Sequence, residues 1–91
     1  MSRKRDRLEV MHDILRIVRD RHNSIKPTPL LRYSNLSSAS FAEYYRDLME
    51  KELVKEISDS KGRKYITLTD KGFHFLEKYK LILGFIDEFD L

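Results

Sequence analysis

The 91-residue sequence has no cysteine, only three glycines and two prolines. Without cysteine there is no disulfide framework, no thiolate metal cluster and no cysteine nucleophile. The few glycines do not form a glycine-rich phosphate-binding loop. No apolar run approaches the roughly 18 residues that a membrane-crossing helix needs. These absences argue against disulfide-stapled, nucleotide-binding and membrane-spanning proteins.

Motifs for catalysis and metal binding are also missing. The histidines His12, His22 and His74 are far apart in the sequence and do not follow the H-x-x-x-H or H-E-x-x-H spacing of zinc sites. No serine occupies the G-x-S-x-G turn of a hydrolase. The sequence therefore predicts no metal, no cofactor and no enzymatic activity.

What the chain does contain is enough apolar material for one folded core. Hydrophobic residues make up 41% of it and charged residues 36%, and its length fits a single domain. The net charge of +3 is unevenly distributed, with basic residues at the start and acidic residues at the end. Because no apolar signal core follows the basic start, we expect a cytoplasmic protein.

Two helices are predicted in the first third of the chain. Residues 5–22 carry apolar side chains at helical intervals, which predicts an amphipathic first helix. The segment Ser24-Ile25-Lys26 is long enough only for a turn or one strand rung before Pro27, which favours extended backbone. Thr28 followed by Pro29 predicts the N-cap and the first residue of a short second helix.

A third helix is predicted immediately after a tight turn. Asn35 tolerates the left-handed backbone that such a turn requires. Ser37 is the next predicted cap, and residues 38–51 repeat apolar side chains such as Phe41 and Leu48 at helical intervals. Two helices joined in this way are typical of a helix-turn-helix, whose second helix is presented to DNA.

After Glu52 the apolar pattern changes from the helical period to the alternation of strands. Two such runs flank residues 59–63, which predicts a β-hairpin with Gly62 at positive φ. Basic side chains surround this glycine, so the hairpin is expected to form a basic wing.

A final helix is predicted from its cap, Thr69 or Asp70, to about Phe89. At 1.5 Å per residue it would be about 30 Å long, more than the small domain can cover. We therefore expect residues 1–69 to form the core domain and residues 70–91 to form a dimerisation helix. Its predicted dimer contacts are Tyr79, Ile82, Leu83, Ile86 and Phe89.

This order of elements resembles the small archaeal winged-helix DNA-binding proteins and transcriptional regulators. The similar segments are Asn35-Leu36-Ser37, Phe41 with Tyr44-Tyr45 and Leu48, Glu52-Leu53-Val54, and Leu68-Thr69-Asp70-Lys71-Gly72 with Phe75-Leu76 and Tyr79. The resemblance implies a mostly α-helical winged helix-turn-helix (α+β) that binds double-stranded DNA, and a homodimer joined by an antiparallel coiled coil of C-terminal helices. It also implies a role in transcription or chromatin, and hence a nucleoid-associated location.

The predicted DNA contacts fall on three segments. The exposed start of the third helix is expected to read bases, because recognition helices contact bases through their first turns. The wing and the flanks of the second helix are expected to contact phosphates. The predicted DNA-binding residues are Ser37, Ser38, Ser40, Tyr44, Arg46, Lys61, Arg63, Lys64, Lys26 and Arg32. The basic start, Arg3-Lys4-Arg5, is either a further arm or a solvated tail.

Structural roles compete with several of these assignments. Ser37 and Ser40 also fit helix caps, Tyr44 also fits a packing residue, and Lys26 and Arg32 also fit an ordinary surface. The third helix further carries four acidic residues, Glu43, Asp47, Glu50 and Glu52. These repel phosphate unless they bind a basic neighbour or accept from a cytosine amino group.

Two other functions therefore stay open. The first is a protein-interaction winged helix within a larger assembly, which does not bind DNA itself. The second is a dimer that exposes its DNA-binding face only after a signal.

Overall fold

The computed structural model describes residues 6–91 and contains helices and strands in the predicted order. They are α1 (Arg7–Asp20), α2 (Pro27–Ser34), α3 (Ser38–Glu50), β1 (Val54–Ser58), β2 (Lys64–Leu68) and α4 (Asp70–Glu88). The basic residues 3–5, considered above as an arm, lie outside the described residues. The expectation of a mostly helical fold with a two-stranded antiparallel hairpin is confirmed.

α1 is shorter than predicted because its end is set by backbone conformation. Asp6 caps the helix, and its carboxylate accepts a hydrogen bond from the Glu9 amide at 2.8 Å. The helix ends at Asp20 and not near His22, since His22 and Asn23 both adopt the left-handed conformation, with φ of 60° and 56°.

The predicted start of α2 is wrong by two residues. The helix begins at Pro27 and its N-cap is Lys26, which makes no side-chain capping bond. Proline at the first helical position lacks only an amide that the helix does not use, and it holds the preceding residue extended. Pro29 also sits in the first turn, where amides have no partner within the helix. Thr28 is therefore a residue of the first turn and not the cap.

The turn between α2 and α3 forms as predicted. Asn35 has φ of 62°, in the left-handed region. Ser37 caps α3, because its Oγ accepts from the Ser40 amide at 3.2 Å. α3 ends at Glu50, where Lys51 closes the helix, and Glu52 then turns the chain into β1 with φ of 58°.

The hairpin is extended on one side by the chain before α2. β1 and β2 pair antiparallel from Val54 opposite Leu68 to Ser58 opposite Lys64. Ile25 adds a single rung beside β2: the Ile66 amide donates to the Ile25 carbonyl at 2.7 Å, and the Ile25 amide donates back at 3.2 Å. The expected one-rung strand is therefore present.

The core lies between α1, α2, α3, the hairpin base and the first half of α4. The fully buried apolar side chains contribute most of the hydrophobic stabilisation. They come from each of these elements except α4. They are Ile14, Leu15, Val18, Leu30, Leu48 and Ile66. α4 contributes Leu76, which is 5% exposed, and the exposed apolar residues of this helix begin at Leu81.

α4 begins in close contact with the loop before β1. Thr69 caps it by accepting from the Gly72 amide at 3.1 Å, and its hydroxyl donates to the Glu52 carbonyl at 2.6 Å. This places Gly72 so close to Leu53 that a Cβ on the glycine would lie 2.2 Å from the Leu53 carbonyl oxygen. A Cβ on Gly84, in the same helix, would contact nothing within 4 Å.

These two glycines give a matched prediction. Gly72→Ala should destabilise the fold by about 1–3 kcal/mol or more, because the new methyl group overlaps a backbone carbonyl. Gly84→Ala should instead stabilise it by about 0.5–1 kcal/mol, since alanine is the better helix former. Urea unfolding at one protein concentration measures both changes. Equal effects of the two substitutions would show that α4 does not approach Leu53 this closely.

Candidate nucleic-acid interface

The buried residues of α3 show which side of the helix faces the core and therefore which side faces solvent. Phe41 and Leu48 are buried in the core, whereas Ser37, Ser38 and Arg46 are exposed. The first two turns of the helix, with Arg46 just beyond them, therefore present polar side chains to the surface, as a recognition helix requires.

Three of the predicted base-reading residues also have structural roles. The Ser37 oxygen accepts the capping bond from the Ser40 amide, but its hydroxyl can still donate to another group. Ser40 is half-buried, and so is Tyr44, which packs against the hydrophobic core. Of the residues predicted here, Ser37, Ser38 and Arg46 are the ones with exposed side chains.

The tip of the wing is held by the carboxylate of Asp59. It accepts from the amides of Lys61 and Arg63, both at 2.9 Å, and from Nε of Arg63 at 2.6 Å. The hydrogen bond donated by the backbone amide of Arg63 is the main reason that the pKa of Asp59 lies below its ordinary value. Gly62 completes the turn at φ of 78°, as predicted. The turn is thereby fixed, while the Arg63 side chain remains 53% exposed.

Lys26, from the start of α2, lies beside the wing. It lines a shallow cleft together with Arg63, Lys64 and the first residues of α2. Its Nζ lies 5.9 Å from the centre of the Tyr65 ring, and its charge contributes to lowering the pKa of Asp59. Three of the predicted DNA-binding cations, from segments far apart in sequence, therefore meet at one surface.

The other two wing and α2 candidates lie apart from this cleft. Lys61 is exposed at the tip of the hairpin. Arg32 is exposed in the last turn of α2, at the opposite end of that helix from Lys26. Beside Arg32, the guanidinium of Arg21 stacks over the Tyr33 ring at 4.1 Å.

Several acidic groups near α3 and the wing are bound internally. Asp47 forms an ion pair with Arg7, so a basic neighbour offsets the charge of this carboxylate. Glu56 of β1 accepts from the Tyr45 hydroxyl at 2.6 Å. Burial, and then this hydrogen bond, raise the pKa of Tyr45 above its ordinary value. No local sequence pattern points to the roles of Arg7, Tyr45 and Asp59, because each acts through a partner 4 to 40 residues away.

An apolar stripe, called here the α4 seam, runs along α4 from its half-buried first half into its exposed second half. Its members follow one another at intervals of four, three, four and three residues, the heptad spacing of a coiled coil, and they are Phe75, Tyr79, Ile82, Ile86 and Phe89. Ile82 is 52% exposed and Phe89 is 56% exposed. The predicted residue Leu83, which is 44% exposed, flanks this seam.

The inner end of the α4 seam opens into an apolar groove. Leu8 of α1 and Leu53 form one side of it, and Phe75, Tyr79 and Ile82 form the other. Lys71, His74 and Lys78 stand at its rim. The imidazole of His12 stacks on Tyr79 at 4.3 Å between ring centres, which anchors this part of the seam to α1.

Within residues 6–91, no helix has the length and apolar character needed to cross a membrane. In the same part of the chain, histidine and carboxylate side chains do not gather in a group of three that could hold a metal ion.

The sequence profile of the winged helix-turn-helix family matches residues 4–85. The chain therefore belongs to the winged helix-turn-helix family, as its resemblance implied. The sequence comparison with curated proteins gives no match.

Solved structures of winged-helix proteins share the fold. Sso10a-2, a DNA-binding protein from Sulfolobus solfataricus, superposes with a TM-score of 0.73 at 18% identity, over 93% of this chain and 85% of that one. F93 from STIV, a winged-helix DNA-binding protein, gives 0.71 at 17% identity, over 88% and 91%.

MepR, a transcription regulator of the Staphylococcus aureus multidrug efflux pump MepA, gives a TM-score of 0.74 at 18% identity, over 87% of this chain. The chain spans 59% of the length of MepR. At identities this low, the likenesses establish the fold that the three proteins share with this chain.

Proposed function

We propose that this protein binds double-stranded DNA through the start of α3 and the basic wing, as a transcriptional regulator or a chromatin-associated protein. The observation that carries the proposal is the meeting of Lys26, Arg63 and Lys64 at one cleft beside the helix-turn-helix. A DNA-binding role would place the protein at the nucleoid.

The arrangement fits the two tasks of a DNA-binding surface. Lysine and arginine side chains that neutralise phosphates release counterions, and this supplies affinity without reading sequence. The exposed hydroxyl of Ser38 and the free donor of Ser37 can position α3 on a phosphate or a base edge. Because Asp59 fixes the wing turn, Arg63 loses less conformational freedom on binding than an unanchored arginine would.

The comparisons support the same proposal. Sso10a-2 and F93 are described as DNA-binding proteins and MepR as a transcription regulator, and each shares the fold over most of this chain. The fold alone does not determine what a winged helix binds, because its surface residues do. The proposal therefore rests on the cations and polar groups described above.

We also propose a homodimer formed by antiparallel pairing of the α4 seam. Exposed apolar side chains at heptad spacing are the usual basis of helix pairing. Charge favours the antiparallel orientation: Lys71 and Lys78 flank the start of the seam, whereas Asp87, Glu88 and Asp90 surround its end. Antiparallel pairing sets the acidic end of one helix beside the basic start of its partner, and parallel pairing sets like charges together.

The salt dependence of DNA binding tests the first proposal. Replacing Lys61, Arg63 and Lys64 with alanine should weaken binding to a duplex, because these side chains would no longer neutralise phosphates. The slope of log affinity against log salt should also flatten, by about 0.9 for each phosphate that is no longer neutralised. Mobility shift or fluorescence anisotropy over a salt series measures both quantities.

The matched control removes three exposed cations that lie away from the cleft, Arg16, Arg19 and Lys80. It changes net charge equally and should leave most of the salt slope unchanged. Equal effects of the two triple variants would contradict a specific role of the wing. Absence of salt-dependent duplex binding by the unchanged chain would refute the proposed function.

Cysteine cross-linking tests the dimer, because the chain has no cysteine of its own. Ile82 lies midway along the α4 seam, seven residues from Phe75 and from Phe89. In an antiparallel pair the midpoint meets its own copy, so Ile82→Cys should oxidise to a linked dimer. Phe75→Cys and Phe89→Cys should each stay unlinked alone and become linked when mixed.

Glu77→Cys, exposed on another side of α4, is the control and should stay unlinked. Linkage of Phe75→Cys and Phe89→Cys each to its own copy would indicate parallel pairing. An unlinked Ile82→Cys, together with a monomer in sedimentation of the unchanged chain, would rule out the dimer.

A further inference from the structure

Glu43 and Arg46 are neighbours on the outward side of α3. Side chains three residues apart lie on the same helix face, with Cβ atoms about 5–6 Å apart. Both residues are exposed, and both lie opposite the buried Phe41 and Leu48. Glu43 is in the second turn of a helix that starts at Ser38, within the part of a recognition helix that reaches bases.

Glu43 differs from the acidic residues that have internal partners. Asp47 is paired with Arg7, Glu56 accepts from Tyr45, and Asp59 is bound by the wing turn. Among residues 6–91, no hydrogen bond or ion pair involves the side chain of Glu43 or that of Arg46, and the two are not paired with each other. Their full hydrogen-bonding capacity is therefore available to a bound molecule.

A carboxylate on the surface that faces DNA is repelled by the phosphates. It is compatible with DNA binding when it accepts a hydrogen bond from a donor on a base edge in the groove. In the major groove the donors are the amino groups of cytosine and adenine, and a carboxylate is the usual acceptor for cytosine N4. The partner guanine presents two acceptors, O6 and N7, which match the fork of an arginine. A C·G base pair thus offers a donor and a paired acceptor side by side.

We propose that Glu43 and Arg46 read a C·G base pair in the major groove. Glu43 accepts from the cytosine amino group, and Arg46 donates to the O6 and N7 atoms of guanine. The inference rests on the proposed DNA-binding function and adds sequence preference to it. Glu43 contributes to specificity largely by disfavouring other base pairs, because its carboxylate is repelled by thymine O4 or guanine O6 when one of these occupies the position of the cytosine amino group.

Selection from a pool of randomised duplexes tests both residues, with the unchanged full chain and the variants Glu43→Gln, Arg46→Ala and Glu50→Gln. Glu50→Gln is the matched control, since it removes the same charge from an exposed residue in the last turn of α3. The unchanged chain should enrich a C·G pair at one position by roughly tenfold or more over other pairs. Glu43→Gln should lose that preference or shift it towards A·T, because glutamine pairs with adenine, while Glu50→Gln should keep it.

The outcomes separate this inference from the function on which it rests. The unchanged chain could bind duplexes with salt dependence but enrich no C·G position, or Glu43→Gln could select the same site as the unchanged chain. Either result would overturn base reading by Glu43 and leave the proposed DNA binding intact. If Arg46→Ala keeps the preference while losing affinity, Arg46 contacts phosphate and not guanine. Absence of any duplex binding contradicts the proposed function itself.

Discussion

The arrangement of the proposed DNA-binding surface depends on one pair of backbone hydrogen bonds, between Ile25 and Ile66. Ile66 is completely buried, and its amide and carbonyl both bond to Ile25, which fastens the chain before α2 to the side of the hairpin. Since Lys26 follows directly, this pairing sets its side chain beside the wing, over Tyr65 and next to Lys64. Without it, Lys26 would lose the direct backbone link that holds it beside the wing.

The same body presents two surfaces with different chemistry. The wing and the start of α2 gather positive charge, and the nearby carboxylates of Asp47, Glu56 and Asp59 are bound by internal partners. The outer half of α4 instead leaves large apolar side chains exposed, which costs free energy in water unless a second surface covers them. The basic surface and the apolar α4 seam therefore occupy separate parts of the chain.

Local sequence patterns predicted most of the fold, but they did not predict the contacts between residues that are far apart in the sequence. Helical periodicity, the left-handed Asn35 and the caps Ser37 and Thr69 depend on neighbouring residues, and all were predicted. The predicted start of α2 was wrong because Pro27 and Pro29 both fit the first turn of a helix, and the local pattern does not choose between them. The pairing of Tyr45 with Glu56 and the approach of Lys26 to the wing join distant segments, so no local pattern contains them.

In the proposed function, α3, Lys26 and the wing form one surface for duplex DNA. Amide NMR spectra of the full chain, recorded during titration with a short duplex, test it most directly. We expect shift changes to concentrate in residues 37–46, at Lys26 and in residues 61–64, and the α4 seam to be little affected. Changes confined to α4 and the groove beside Leu8, with the wing unmoved, would contradict it.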